Sequence, residues 1–422
     1  MRHRPARQFE ETTPIAREES VDVTIVMPCL NEYQCLPHCI ANAREALRLI
    51  AERYGLAGEV VIADNGSTDG SQGLATALGA RVVDVVDRGY GAALIGGAKA
   101  ARGRYILMGD ADGSYDFTDG VAMIGELQDG AELCMGSRFK GGITPGAMPW
   151  KNRYIGNPVL TGILNLFFRP GISDAHSGLR AIQKQAFLGL GLSGTGMEFA
   201  SEMVIKAALK RLRIAETPVK LLPDLRDRPP HLRPWRDGWR HLRYLFMLSP
   251  TWVFGVPAIV GSIVSLALLF AAVMHAFVPA SFAAVGNYWA ILASAMLGLS
   301  HMAGILAAAG NLYGVRAGYR LPNPLTRQLS RLLSLESMLI AGALLIAAGI
   351  AVLGVVVWEW QLRDFGATYS VVPALIGTLC VTLGFQNVLG GFLLAIVGGN
   401  EARFMAAPVA ASTTDNDVAI AA

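Results

Sequence analysis

Two carboxylates one residue apart, Asp110 and Asp112, follow the apolar run Tyr105-Ile-Leu-Met108. In an extended turn both can reach one hard cation, which prefers oxygen ligands in octahedral geometry. A diphosphate is the natural third party, because the ion neutralises charge developing on a phosphate leaving group. A third carboxylate, Asp64, ends a similar run, Glu59-Val-Val-Ile-Ala63. Acidic turns are common, so D-x-D alone is a weak signal; the shared place at strand ends singles these residues out. Arginines supply the complementary chemistry, since guanidinium groups bind phosphate oxygens in bidentate fashion. Arg138, Arg180 and the group Arg226, Arg228 and Arg233 are the candidates for a phosphate at a membrane surface.

The elements that must position these residues alternate between strand and helix. Residues 23–27 form a short β-branched run, and 36–54 carry helical spacing. A second strand, 59–63, runs into Asp64-Asn65-Gly66-Ser67, a turn and helix cap. Residues 74–78 continue a short helix, 81–86 form a third strand, 91–102 a helix, 105–108 a fourth strand and 131–135 a fifth. Strands separated by helix-length crossovers imply a parallel α/β sheet, with ligands at the carboxyl ends of its strands. Asp64 and Asp110 both stand at such ends. The glycine run Gly89-Tyr-Gly91-Ala-Ala-Leu-Ile-Gly96-Gly97 follows the third strand and lacks G-x-G-x-x-G spacing. It reads as tight helix packing near the site.

Composition divides the chain. Of 422 residues, 52% are hydrophobic and 16% charged, too apolar a balance for a soluble protein of this size. The net charge of +3 implies no nucleic-acid partner. Residues 206–243 hold eleven Lys or Arg against four Asp or Glu, a basic collar suited to anionic headgroups. From Tyr244 through Val315 there is no charged residue. Apolar segments at 251–274, 288–312, 337–358 and 370–397 each meet the length needed to cross a bilayer. Arg316, Arg320, Arg327 and Arg331 lie between the second and third of these. The positive-inside rule puts that loop in the cytoplasm, and with four spans both termini lie on the same side. Residues 150–168 and 235–248 mix Trp, Tyr and Arg with Leu and Phe and read as interfacial helices, with ordinary core helices as the alternative. His275 and His301 lack metal spacing and read as packing residues.

The division expected is a disordered tail at 1–20, a catalytic domain at 21–232, a juxtamembrane amphipathic helix at 233–250, a membrane domain at 251–400 and a tail at 401–422. The polar start has no apolar segment of signal-peptide type. Five cysteines without C-x-x-C spacing indicate neither a disulfide framework nor a zinc site, and fit a reducing cytoplasm.

Five motifs appear in order: Pro28-Cys-Leu-Asn31-Glu32, Asp64-Asn-Gly66-Ser67-Thr-Asp69, Asp110-Ala-Asp112, Ser137-Arg138-Phe139 and Asp174-Ala-His-Ser177-Gly178-Leu-Arg180. Over about residues 21–244 the chain therefore resembles glycosyltransferase family 2, in particular its dolichyl- and polyprenyl-phosphate hexose synthase branch. The resemblance implies a GT-A fold, Rossmann-like with a mostly parallel sheet, and an inverting transfer from a nucleotide-sugar of UDP-glucose or GDP-mannose type. It further implies a polyprenyl or dolichyl phosphate acceptor and a Mg²⁺ or Mn²⁺ ion. Pro28, Asn31, Glu32 and Asp64 would hold the nucleotide, and Asp110 and Asp112 the metal and diphosphate. Ser177 would serve the substrate, and Asp112, Arg138, Arg180 and Glu198 the catalytic step. Glu198 sits in Gly196-Met-Glu198-Phe-Ala-Ser-Glu202, where a base, an acceptor-positioning group or an ion-pair partner would all fit; positioning is favoured.

Three departures stand out. Asn65 occupies the place of a second Asp. Ala175-His176 stands where the branch has Pro and a variable residue, and Leu179 replaces Phe. After Pro223 the cations Arg226, Arg228 and Arg233 are present, but the register of the branch's Gly-x-Ser-Lys segment is not. Gln-x-x-Arg-Trp, which a processive polysaccharide synthase would carry, is missing from the chain. A non-catalytic lipid-sugar scaffold or transporter would have no need of intact Asp110 and Asp112. A lipid bilayer is the remaining partner; self-association is left open.

Overall fold

The structure, a computed structural model, describes residues 21–227, 234–277, 286–322, 333–366 and 370–399. It divides into two units between Met247 and Leu248. The first unit opens with β1 (Val23–Cys29), α1 (Leu36–Tyr54), β2 (Gly58–Asp64), α2 (Ser71–Ala77), β3 (Arg81–Asp84) and α3 (Tyr90–Ala100). It continues with β4 (Tyr105–Met108), α4 (Gly120–Gln128), β5 (Leu133–Ser137), α5 (Arg138–Gly141) and, after a π turn at Asn152–Gly156, α6 (Asn157–Phe168). The last elements are β6 (Arg180–Gln183), α7 (Lys184–Leu190), α8 (Phe199–Leu209), β7 (Ile214–Pro218) and α9 (Pro234–Met247).

The seven strands form one sheet in the order β3-β2-β1-β4-β6-β5-β7. Every residue of β1 except Pro28 is buried, which is why its run is apolar but for Thr24, as expected of a strand covered on both faces. Helix α1 forms where the sequence predicts. Pro37 in its first turn suits the fixed φ of that position. Gly55, at φ 67°, ends it by donating to the Ala51 carbonyl. Its buried face of Leu36, Cys39, Ile40, Ala43, Ala46 and Ile50 recurs every three to four residues and joins the main core.

The sheet is mostly parallel, as expected, with one exception. Strand β6 runs antiparallel between β4 and β5, while the other pairings are parallel. Strands β6 and β7 lacked a signal because one opens on a buried arginine and the other carries Glu216, so neither shows an apolar run. The fifth strand also begins later than residue 131, at Leu133.

Helix α9 belongs to the first unit, packing on α6 and α8. Asp237, His241 and Leu245, four residues apart, are buried, while Trp239 and Met247 are exposed. The π turn before α6 and α6 itself expose Tyr154, Ile155, Val159 and Leu166.

The second unit holds α10 (Val256–Phe277), α11 (Asn287–Arg316), α12 (Leu335–Gln361) and α13 (Val372–Gly398). These helices are long and apolar enough to cross a membrane, the first span starting at Thr251. Helices α12 and α13 approach backbone to backbone. A Cβ on Gly384 would meet the Gly342 carbonyl oxygen at 2.7 Å, and one on Gly349 would meet the Gly377 carbonyl oxygen at 2.6 Å. Such close crossings are a recurrent way for helices to associate in lipid. His301 Nδ1 lies 2.9 Å from Gln386 Oε1 and links α11 to α13. Arg316 donates to the last carbonyls of α13, Ile396 at 3.1 Å and Val397 at 3.3 Å.

Candidate active site

Strand β1 lies between β2 and β4, with Cys29 paired to Asp64 and Val26 to Met108. The loops leaving these three strands carry Asn31–Glu32, Asp64–Asp69 and Asp110–Asp112. The chain order departs in opposite directions from β1 and β4, the kind of switch point where open α/β sheets bind ligands.

Asp64 is almost wholly buried. Its Oδ2 accepts from the backbone N–H of Gly66 at 2.9 Å and Ser67 at 3.0 Å, and from Gln72 Nε2 at 2.6 Å. Burial pushes its pKa up, but hydrogen bonds from Ser67, Gln72 and Gly66 outweigh that and hold the carboxyl below its ordinary value. Its Oδ1 is buried and has no hydrogen-bond partner among the described residues. Asn31 takes a left-handed conformation, φ 58°, and staples the first loop to the second. Its Oδ1 accepts from Thr68 N at 2.8 Å, and its own N–H donates to Ser67 Oγ at 2.9 Å. Asn65 does what an aspartate could not. Its amide nitrogen donates to the Asp87 carbonyl at 2.7 Å, and its Oδ1 accepts from Gly89 N at 2.7 Å.

The acidic pair is held by unlike partners. Asp112 Oδ1 accepts from Ser114 N at 3.0 Å and Ser114 Oγ at 2.6 Å, and Oδ2 meets Arg226 Nη1 at 3.1 Å. Arg226 in turn forks onto Glu32, with Nη2 2.9 Å from Oε1 and Nε 3.1 Å from Oε2. The backbone fixes this approach: Leu225 N donates to the Asp112 carbonyl at 2.9 Å, and Leu222 N to Ser114 at 2.9 Å. A cavity of about 270 Å³ opens beside Asn31, Glu32, Cys35, Asp69 and Arg226. Asp110 Oδ1 accepts from the Tyr90 hydroxyl at 2.9 Å. Burial and, after it, the charge of Asp112 push the Asp110 carboxyl up to about 6, against the pull of Tyr90, Arg226 and Arg180.

The Asp174–Arg180 segment wraps against this pair. A Cβ on Gly178 would collide with Asp110 Oδ2, and Gly178 N donates to the Tyr115 hydroxyl at 2.8 Å. Arg138 and Arg180 are both buried and engaged within the protein. Arg138 forks onto Asp174, Nε to Oδ2 at 2.7 Å and Nη2 to Oδ1 at 2.8 Å. Arg180 donates Nε and Nη2 to the Ser177 carbonyl and Nη1 to the Ala200 carbonyl, over the ring of Phe199. Ser177 is buried with them. Glu198 Oε1 accepts from Gly196 N at 3.0 Å, and its buried Oε2 has no partner among the described residues. Pro28 pairs with Ala63, one residue before β1 ends at Cys29 beside Asp64. Arg228 and Arg233 lie outside the described residues.

Sequence reasoning missed Tyr90, Gln72 and Ser114, which orient the three aspartates. It also missed His176, whose Nε2 lies 3.1 Å from Ser201 Oγ, itself 2.8 Å from His241 Nδ1 on α9. Burial of their rings depresses both histidines, His241 to about 4. Ser114 two residues past Asp112 was a readable turn signal; the others are brought in from distant segments.

A divalent cation fits the pair Asp110 and Asp112. Among the described residues no three His, Cys, Asp or Glu side chains form a closed cage. Two carboxylates that share a single ion pair among the described residues, Arg226 to Asp112, suit an ion that takes its other ligands from substrate phosphate and water.

The sequence profile of Glycosyl transferase family 2 matches residues 24–190, and that of the Glycosyltransferase family 2 C-terminal transmembrane region matches residues 308–398. The low-salt glycan biosynthesis hexosyltransferase Agl6 of Haloferax volcanii is 35% identical over 377 residues, covering 89% of each chain. The dolichyl-phosphate hexose transferase of the same organism is 28% identical over 47% of this chain and 82% of its own. The dolichyl-phosphate beta-glucosyltransferase of Saccharomyces cerevisiae is 26% identical over 51% of this chain and 72% of its own. On the near full-length match and the two profiles, the chain belongs to glycosyltransferase family 2, a GT-A-like enzyme domain followed by that family's transmembrane region.

Proposed function

We propose that this chain moves a hexose, with inversion, from a nucleoside diphosphate to the phosphate of a polyprenyl or dolichyl lipid at the cytoplasmic face of the cell membrane. The observation that carries the donor half is the buried Oδ1 of Asp64, without a hydrogen-bond partner among the described residues, at the same sheet edge as Asp110 and Asp112. An ionised carboxylate only accepts hydrogen bonds, so this oxygen suits the ring N–H of uracil or guanine. Pro28, Asn31, Glu32 and Asp64 then form the nucleotide side, and Asp110 and Asp112 the diphosphate side. The acceptor half is supported by the dolichyl-phosphate names of two relatives and by the chain itself, in which only Leu248, Ser249 and Pro250 separate α9 from the first span.

A phosphate oxygen of the lipid attacks the anomeric carbon opposite the diphosphate, the bond from that carbon to the diphosphate oxygen breaks, and the nucleoside diphosphate leaves. An ionised phosphate is already a nucleophile near neutral pH, so the step needs no dedicated base. Mg²⁺ or Mn²⁺ held by Asp110 and Asp112 would neutralise charge on the departing diphosphate. Arg226 binds the lipid phosphate, a role the sequence offers equally to Arg228 and Arg233, and Glu198 positions the acceptor. Arg138 and Arg180 serve catalysis by holding Ser177 and Gly178 against the acidic pair, their donors being taken up by Asp174 and by main-chain carbonyls.

Arg316 and Arg320 follow the second span, which by the positive-inside rule supports a cytoplasmic catalytic unit. The domain limits are taken as 21–232, 233–250 and 251–400. The test uses membranes from expressing cells, labelled UDP-glucose or GDP-mannose, Mn²⁺ or Mg²⁺, and undecaprenyl or dolichyl phosphate. Label should appear in extracted lipid; none from any common donor, with folded protein present, refutes the proposal.

A further inference from the structure

The Gly89-Tyr90-Gly91 turn takes no part in the transfer described above, yet it is pressed main chain to main chain against the 194–196 loop. Gly89 sits at φ 130°, and a Cβ there would touch the Thr195 carbonyl carbon at 3.0 Å. A Cβ on Gly91 would meet the Gly196 carbonyl oxygen at 2.9 Å and Phe199 Cβ at 2.7 Å. Ala92 N donates to the Thr195 carbonyl at 3.1 Å. These contacts fix the first residue of α3, Tyr90. Its ring stands edge-on to Phe199, with centroids 6.5 Å apart and planes at 76°. Its hydroxyl ends on Asp110 Oδ1. Among the described residues no other group hydrogen-bonds to the Asp110 carboxylate, whereas Asp112 has Ser114 and Arg226.

We infer that Tyr90 is a positioning residue for the donor site, fixing the orientation of the Asp110 carboxylate toward the metal-bound diphosphate. This rests on the reading of Asp110 and Asp112 given above. The torsion that turns a carboxylate is soft, so an isolated aspartate samples many orientations. A single hydroxyl held by a rigid turn selects one of them and leaves the second oxygen unused by hydrogen bonds. Partners behind a ligating carboxylate matter on this scale: their removal costs roughly ten- to a hundredfold in metal affinity or activity. The glycines on either side follow from the same need, because a side chain at either would lift Tyr90 away.

The experiment is a Mn²⁺ titration of nucleotide binding by equilibrium dialysis on the full-length protein in nanodiscs, with UDP and separately GDP. Tyr90→Phe removes the hydroxyl and keeps the ring against Phe199. The Mn²⁺ concentration at half-maximal binding should rise about tenfold or more, with binding in EDTA and metal-free Tm unchanged. An unchanged Mn²⁺ midpoint overturns the inference. A fall in metal-free Tm large enough to explain the lost binding also overturns it, since Tyr90 would then act through packing. If the unaltered protein binds both nucleotides without any Mn²⁺ dependence, the reading of the acidic pair itself fails.

Discussion

Arg226 and Glu32 stand 194 positions apart in the chain, yet their side chains close into a forked ion pair beside Asp112. The same guanidinium touches Asp112 Oδ2 at 3.1 Å, so a divalent cation held as proposed would compete with Arg226 for that oxygen. Donor and metal entry would release Arg226 from Asp112 toward phosphate. Arg226→Ala should therefore lower kcat/KM for the lipid phosphate by roughly ten- to a hundredfold, the scale of a lost charged hydrogen bond. Steady-state assays at saturating nucleotide-sugar check this, and an unaltered value would place the phosphate elsewhere.

Asp112→Asn should abolish most turnover, about a hundredfold or more, because an amide neither carries charge nor binds a hard cation well. Membrane insertion should persist. Lipid-linked label and carbonate-resistant membrane association report the two effects separately.

Asp174 is fully buried and neutralises Arg138. Asp174→Ala leaves a buried guanidinium unpaired, which costs on the order of 3–5 kcal/mol. For a domain of this size the Tm of the catalytic unit should fall by roughly ten degrees. Scanning fluorimetry of the full-length protein in detergent would show it; a shift of a degree or two would mean that water or a neighbour takes the place of Asp174.

His241 sets an acid limit. Its folded pKa, about 4, lies below the ordinary 6.5 because burial disfavours the imidazolium. Between those values the unfolded chain binds a proton that the native protein does not. Stability is thus fully present above about pH 6.5 and declines as pH falls toward 4, by on the order of 3 kcal/mol. Tm measured from pH 7.5 to 5 should drop, and His241→Asn should flatten the slope. An equal slope in the variant would assign the acid limit to other groups, His176 first.

In the membrane unit, Gly384→Leu should separate α12 from α13, because the new side chain meets the Gly342 carbonyl oxygen and the Ile346 backbone nitrogen as well as Ile346 Cγ1, and the backbone atoms cannot turn aside. Overpacking of this kind costs about 1–3 kcal/mol or more. Faster proteolysis or a lower Tm in detergent is the expected outcome, with lipid-linked transfer reduced less than by Asp112→Asn.

The parts of the fold legible in the sequence are those whose signal is local. Helix α1 announces itself by apolar spacing, Pro37 and Gly55, and the spans by length and absence of charge. Asp64 and Asp110 could be placed because a buried parallel strand ends abruptly where its apolar run ends. Strand β6 could not, since Arg180 looks like a surface cation until its three donor nitrogens are seen meeting main-chain carbonyls. The same holds for Arg138, whose partner Asp174 is 36 positions away. Solvated and buried arginines are identical in a sequence; only the folded chain distinguishes a free fork from one already filled. Tyr90 was hidden differently, because the glycines around it carried the local signal.

Helices α12 and α13 meet through glycines, with Ile346, Leu353, Val381 and Val388 seated against them. Each therefore shields a bare strip of main chain on the other, and neither is finished by itself. During synthesis the two would have to leave the translocon as one hairpin. A chain stopped between Gln361 and Val372 would present an unfilled groove to lipid, a surface for quality-control proteases rather than a shortened enzyme.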